Sequence, residues 1–215
     1  MELTDKIRNA IQEGRPQETA DLVARAVEFG IETDKLVEEG MLPAMHDLGN
    51  AFQDPANDIP RILSAARSIR NGFDIIEQQY GADVFGDLGT VILGTVEGDL
   101  HDVGKNLVAL MFKSVGFQVI DLGVDISGKQ FAKAVEEHPE ASFVCISSLL
   151  STSVPQMKRV VKSLSRNPKR GYKIMVGGGA VTRQLAEEMG ADLYTETAAD
   201  AAELARRYLV GGNEL

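Results

Sequence analysis

From residue 90 onward the chain alternates short apolar runs with helical stretches, and this alternation constrains the fold more than any other feature. The runs at 91–95, 118–122, 143–147, 173–176 and 192–194 read as strands, and 103–114, 128–137, 155–166, 182–189 and 199–209 as helices. Strands separated by helices at this pitch join as right-handed βαβ units. The expected fold is therefore α/β, a doubly wound parallel sheet with helices on both faces. In such sheets ligands bind beyond the carboxyl ends of the strands. The Asp99–His101 turn, the serine-rich stretch 147–153 and Gly177-Gly178-Gly179-Ala180 each follow a strand, so all three are expected at one edge.

Residues 1–81 have a different texture. Leu3, Ile7 and Ile11 recur at helical spacing before Gly14-Arg15-Pro16. Leu22, Val23, Ala26 and Val27 share one face of a second segment that Gly30 closes. Leu36, Val37, Met41, Met45, Leu48 and Phe52 continue the pattern, with Pro43 expected to kink it. Ile62, Ala65, Ile69, Phe73 and Ile76 make a fourth stripe. Four amphipathic segments with short connections predict a helical bundle over 1–81. Residues 82–89, rich in glycine and acid, read as a linker before the sheet domain of 90–215.

Composition removes several function classes. The net charge is −10, and residues 1–90 hold 17 acidic against 8 basic side chains. With no Trp and 6% aromatics there is little to attract phosphates or stack bases, so nucleic-acid binding is not expected. The single cysteine, Cys145, lies in an apolar run and reads as core. Met1-Glu-Leu-Thr-Asp-Lys lacks a basic stretch followed by an apolar one, and no apolar run reaches the ~20 residues of a membrane span. A cytoplasmic protein is expected.

The turn after the first strand carries the chemistry: Gly98-Asp99-Leu100-His101-Asp102-Val103-Gly104-Lys105-Asn106. No G-x-G-x-x-G opens a helix after this strand, and Glu97, Asp99 and Asp102 would repel a phosphate. No G-x-S-x-G elbow supports a hydrolase. One alternative makes Asp99 a helix N-cap and His101 a polar first-turn residue. The other uses the pair on a metal, with one imidazole nitrogen as ligand and the other N–H donating to Asp99. A lone histidine suits a metal that arrives with most ligands in place, as cobalt does in a corrin ring. Lys105 and Asn106 read as helix surface, and His138 as a solvent-exposed loop residue.

Asp99-Leu-His101-Asp-Val-Gly104 matches the D-x-H-x-x-G signature of cobalamin-binding domains. Ser147-Ser-Leu149 matches their S-x-L element, with 42 residues between Gly104 and Ser147, and Gly177-Gly178 their closing G-G, with 27 residues between Leu149 and Gly177. With the bundle ahead of it, the chain resembles the corrinoid methyl-carrier proteins of methanol, methylamine and methoxylated-compound methyltransferase systems, and the cobalamin module of methionine synthase. The resemblance implies a helical cap before a Rossmann-like, flavodoxin-like domain that binds cobalamin base-off.

It further implies His101 as the lower cobalt ligand, Asp99 bonded to its other nitrogen and Ser153 bonded to Asp99. Gly98, Asp102, Val103 and Gly104 would bind the cofactor beside them. Ser147, Leu149, Ser151 and the Gly177, Gly178 and Gly179 backbone would line the site and the pocket for the nucleotide tail. Cob(I)alamin would accept a methyl group from a substrate through one methyltransferase and pass it to a second, whose acceptor is tetrahydrofolate or a thiol. Asp99 and Ser153 would take up a proton when His101 leaves cobalt. Met41, Met45 and Phe52 would cover the methyl face, although Asp54-Pro-Ala-Asn-Asp-Ile-Pro60 departs from the usual cap turn. The implied partners are the two methyltransferases and a reductive activator, and a homodimer is compatible. Rival readings are a cobalamin-based sensor module and the small subunit of a mutase. The Lys158, Arg159, Lys162, Arg166, Lys169, Arg170, Lys173 stripe and the acidic cap are candidate docking surfaces, and 81–89 a hinge.

Overall fold

The computed structural model describes residues 2–53, 59–81, 88–168 and 170–210. The chain divides into two compact units, Met1–Phe85 and Gly86–Leu215.

The first unit is helical. Pro16 opens α2 (Pro16–Glu28), where its missing N–H has no partner to lose. It follows α1 (Leu3–Gln12), which buries Ile7, Ala10 and Ile11. The third stretch comprises α3 (Thr33–Lys35), a π-helical segment (Leu36–Met41) and α4 (Leu42–Gln53). The fourth, α5 (Ile59–Tyr80), buries Ile62, Ala65, Ile69, Phe73 and Ile76, the stripe read from the sequence. The irregularity expected at Pro43 takes the form of the π segment ahead of it. The N–H of Leu42 reaches back to the Val37 carbonyl. Pro43 has no N–H to offer Glu39, and the Arg8 guanidinium donates to that carbonyl instead.

Met41 and Met45 are fully buried, and a Cβ at Gly72 would lie 2.8 Å from the terminal methyl of Met41. Met41 thus fills space inside the bundle. The side chains of His46 and Phe52, the turn at 54–58, most of the expected linker (82–87) and Lys169 lie outside the described residues.

The second unit is a five-stranded parallel sheet in the order β2-β1-β3-β4-β5. Its strands are β1 (Gly89–Thr95), β2 (Phe117–Asp121), β3 (Ala141–Ser147), β4 (Lys173–Gly177) and β5 (Leu193–Tyr194). The linking helices are α6 (Val103–Ser114), α7 (Gly128–Glu137), α8 (Val154–Leu164) and α9 (Arg183–Met189), and α10 (Ala198–Val210) follows β5. Alternate strand residues face opposite layers. Ile92, Val144, Ile146, Ile174 and Val176 pack with α7, α8 and α9. On the other face Phe112, Phe117, Phe143 and Tyr208 form an edge-to-face series between α6 and α10. Cys145 is core as expected, and burial pushes its thiol pKa up. No helix among the described residues is long and apolar enough to cross a membrane.

Two surface expectations need correction. Lys105 is 3% exposed, because its ammonium bonds Asp121 at the end of β2 and the Asn106 side chain. His138 is half-buried, with its ring 3.1 Å from Glu140.

Candidate functional site

Register brings the three sequence features together. Thr95 pairs with Ser147, and Ser147 with Gly177, so the loops leaving β1, β3 and β4 start from one row at the carboxyl edge. The strand order reverses between β1 and β3, which opens a crevice where ligands of such sheets bind.

Asp99 sits in that crevice, fully buried. One carboxylate oxygen, Oδ1, accepts from the His101 main-chain N–H at 3.0 Å and faces His101 Nδ1 at 2.7 Å. The other, Oδ2, accepts from the amides of Leu149 (2.7 Å) and Leu150 (3.2 Å) and from Ser153 Oγ at 3.4 Å. Burial pushes the carboxyl pKa up. The amides of His101, Leu149 and Leu150 and the His101 ring outweigh it, and the pKa falls from 3.8 to about 2. A carboxylate so stabilised does not retain a proton in neutral solution. The expectation that Asp99 takes up a proton therefore does not fit its surroundings. Nor is Asp99 the helix cap: α6 begins at Val103, with Asp102 at its N-cap.

The turn is braced from several sides. Gly98, at φ +85°, donates its N–H to Asp125 Oδ1 at 2.8 Å, and Asp125 N–H returns to the Asp99 carbonyl at 3.1 Å. Gln156 on α8 donates to Glu97. Thr95, fully buried, donates its hydroxyl to the His101 carbonyl at 2.9 Å. The His101 ring is 52% exposed, so main chain and Nδ1 are fixed while the rest of the imidazole is accessible.

The other named residues fall around this centre. Ser153 stands at the N-cap of α8 and Leu149 supplies a main-chain donor to Asp99, while Ser151 is exposed in the turn between them. The Ser147 carbonyl accepts the Val96 N–H. Val103 and Gly104 open α6, and a Cβ on Gly98 or Gly104 would meet no atom within 4 Å. Gly178, at φ +105°, has no room for a side chain, since its Cβ would lie 2.3 Å from the Ser148 carbonyl oxygen. A Cβ on Gly179 would lie 2.8 Å from Leu149 Cδ1.

Sequence reasoning passed over Ser148, which is fully buried and lies 2.7 Å from Ser153, Oγ to Oγ. It also passed over Thr95. A serine in the S-x-L element and a hydroxyl at the last position of β1 were the available signals.

The donor set limits what the site can hold. Among the described residues no group of three or more His, Cys, Asp or Glu is arranged for a metal ion. With Nδ1 engaged by an anionic carboxylate, the neutral His101 ring presents Nε2 as a single donor. One donor suits a metal whose remaining ligands come from a macrocycle. Leu100, Leu149 and Leu150, all exposed, give the loops around Asp99 an apolar surface compatible with a large flat group.

Such a fold and site define a B12-binding protein, and the chain belongs to that family. Residues 89–205 and 3–77 each match a family described as "B12 binding domain". Relatives match along nearly the whole length. A corrinoid protein of Desulfitobacterium hafniense strain Y51 is 34% identical over 213 residues, covering 97% of this chain and 98% of its own. Trimethylamine corrinoid protein 2 of Methanosarcina mazei is 35% identical over 203 residues, covering 93% of each. The methanol:cobalamin methyltransferase complex MtaBC from Methanosarcina barkeri contains a chain with a TM-score of 0.73 and 26% identity, aligned over 97% of this chain and 80% of that one.

Proposed function

We propose that this chain is a methyl carrier of a corrinoid-dependent methyltransferase system, holding its cobalamin base-off with His101 as the lower cobalt ligand. The observation that carries the reading is the 2.7 Å contact from buried Asp99 to His101 Nδ1, on a ring that is otherwise half-exposed. Bound cobalamin supplies a cobalt centre that takes a methyl group from one methyltransferase and yields it to another.

The chain's own residues orient and hold. Asp99 holds Nδ1 and so leaves Nε2 free to ligate. Ser148 and Ser153 keep the 148–153 turn closed against Asp99. Gly178 and Gly179 hold the chain beyond β4 close to that turn, where the nucleotide tail would pass.

The trimethylamine and methanol named for the relatives favour a methyl donor of that kind and a methyltransferase partner; an acceptor methyltransferase and a reductive activator complete the proposed set. For docking, the stripe contracts to Lys158, Arg159 and Lys162 on α8 and Arg166 just beyond it. Arg170 is tied to Asp192 at 2.6 and 2.7 Å, and Lys173 lies over the Tyr208 ring.

The test is spectroscopic. Reconstituted with cobalamin, the wild type should show an axial histidine nitrogen that His101→Ala lacks, both proteins being folded. Identical spectra would refute the ligand assignment. Mixing the reduced holo-protein with candidate methyltransferases and their methyl donors should then methylate the cobalt, and failure with every amine and alcohol system would reject the carrier role.

A further inference from the structure

Both main-chain polar groups of His101 are held by fully buried side chains. Asp99 takes its N–H at 3.0 Å, and Thr95 donates to its carbonyl at 2.9 Å. The two clamps differ in kind. Asp99 belongs to the same turn and reaches across to the Leu149 and Leu150 amides, whereas Thr95 belongs to β1. The Thr95 main chain is already committed to the sheet edge: its N–H donates to Gly123, and its carbonyl accepts from Ile126. Its pairing with Ser147 ties it to β3. The Thr95 hydroxyl therefore joins the carbonyl of His101 to a strand end whose own main chain is hydrogen-bonded and paired.

We propose that Thr95 is a positioning residue, one that anchors His101 to the sheet and so sets how well the imidazole reaches the corrinoid metal. This rests on the assignment of His101 as ligand. Asp99 governs which nitrogen is free, and Thr95 governs where that nitrogen stands. The carbonyl it holds lies on the side of His101 leading into α6, where the next side-chain tie is Asn106 to Asp102 at 3.2 Å. Without the hydroxyl, the 100–102 segment keeps its Asp99 contacts but loses its fixed distance from β1. A ligand bond formed on one geometry then competes with a range of others.

The test compares Thr95→Val, which keeps the shape and removes the donor, with Thr95→Ser, which restores it. Each is reconstituted with hydroxocobalamin and reduced to Co(II), where an axial nitrogen splits the electron paramagnetic resonance lines into triplets. Thr95→Val should retain cobalamin in equilibrium dialysis while its ratio of nitrogen-ligated to unligated cobalt falls about five- to tenfold, the effect of one hydrogen bond. Thr95→Ser should recover most of that ratio. In the cobalamin-free protein the amides of His101 and Asp102 should exchange faster in Thr95→Val, which supports the anchor without reference to the metal. A wild-type ratio and wild-type exchange in a folded Thr95→Val would overturn the proposal, as would a serine variant no better than valine. If His101→Ala keeps the nitrogen splitting, the ligand assignment itself fails and this inference with it. If His101→Ala abolishes the splitting while Thr95→Val leaves it unchanged, only the anchor is refuted.

Discussion

Asp99 and His101 are joined twice through one oxygen: Oδ1 accepts the main-chain N–H of His101 and also contacts the ring nitrogen of the same residue. The carboxylate thereby fixes the position of the ring and its rotation together. That double contact also ties stability to pH. The carboxyl pKa is lowered from 3.8 to about 2. The stabilisation is complete above the unfolded value and is lost as pH falls through the folded one. At about 1.4 kcal/mol per unit the shift is worth about 2 kcal/mol. Urea unfolding of the cobalamin-free protein at about pH 6 and about pH 2 should show wild type losing that much more than Asp99→Asn, since the variant lacks this carboxyl's titration. Equal losses would mean that the amides and the His101 ring do not favour the anion.

Gly178 and Gly179 are neighbours with opposite expected tolerance. Alanine at 178 requires a positive φ and meets the Ser148 main chain at 2.3 Å, which cannot yield without opening the 148–153 turn. Gly178→Ala should cost about 2–3 kcal/mol, measured by urea unfolding, and should weaken cobalamin retention. Gly179→Ala meets only the end of the Leu149 side chain, which can rotate, and should cost under about 1 kcal/mol. Equal costs would contradict the close approach of β4's exit to Ser148.

Lys105 lies in the first turn of α6, where the helix dipole disfavours a cation, yet it is buried. Asp121 compensates it, and that side chain keeps 38% exposure. Removing the two partners should therefore be unequal. Lys105→Met leaves a carboxylate that water can reach, at about 1–2 kcal/mol, whereas Asp121→Asn strands a buried ammonium and should cost about 3 kcal/mol. The double variant Lys105→Met/Asp121→Asn should be less destabilised than the sum of the singles. Additive losses in urea unfolding would show that the ion pair is not coupled.

What was legible in the sequence follows from what periodicity encodes. Apolar runs and helical stripes report which faces are covered, so the strands, their parallel direction and the meeting of the 99, 147 and 177 loops at one edge could be read directly. Periodicity does not report which loop atoms touch across fifty residues, as Leu149 and Asp99 do. Lys105 reads as surface because lysine usually is, and its partner lies 16 residues away on a separate strand. Thr95 and Ser148 hid within an apolar run and a serine-rich one, where a hydroxyl that shapes a site looks like one that merely ends a strand.

The two serines of the 148–153 turn provide the last test, because their hydroxyls compete. Ser153 Oγ stands 2.8 Å from the Leu150 carbonyl, 2.7 Å from Ser148 Oγ and 3.4 Å from Asp99 Oδ2, with one proton to give. Ser148 can donate to Leu150 at 3.2 Å or to Ser153. The longest of these contacts is the one to Asp99, and the amides and the imidazole account for the lowered carboxyl pKa without it. Ser153→Ala should therefore destabilise by about 1–2 kcal/mol through the turn while leaving the acid dependence attributed to Asp99 intact. Ser148→Ala should cost about as much, since it leaves Ser153 short of one partner in a dry site. Together the two should cost about 1 kcal/mol less than their sum, the sign of a shared network. If Ser153→Ala instead reduces the acid-dependent loss to that of Asp99→Asn, the serine is an essential support of the carboxylate, and the order Ser153 to Asp99 to His101 holds as a chain of dependence.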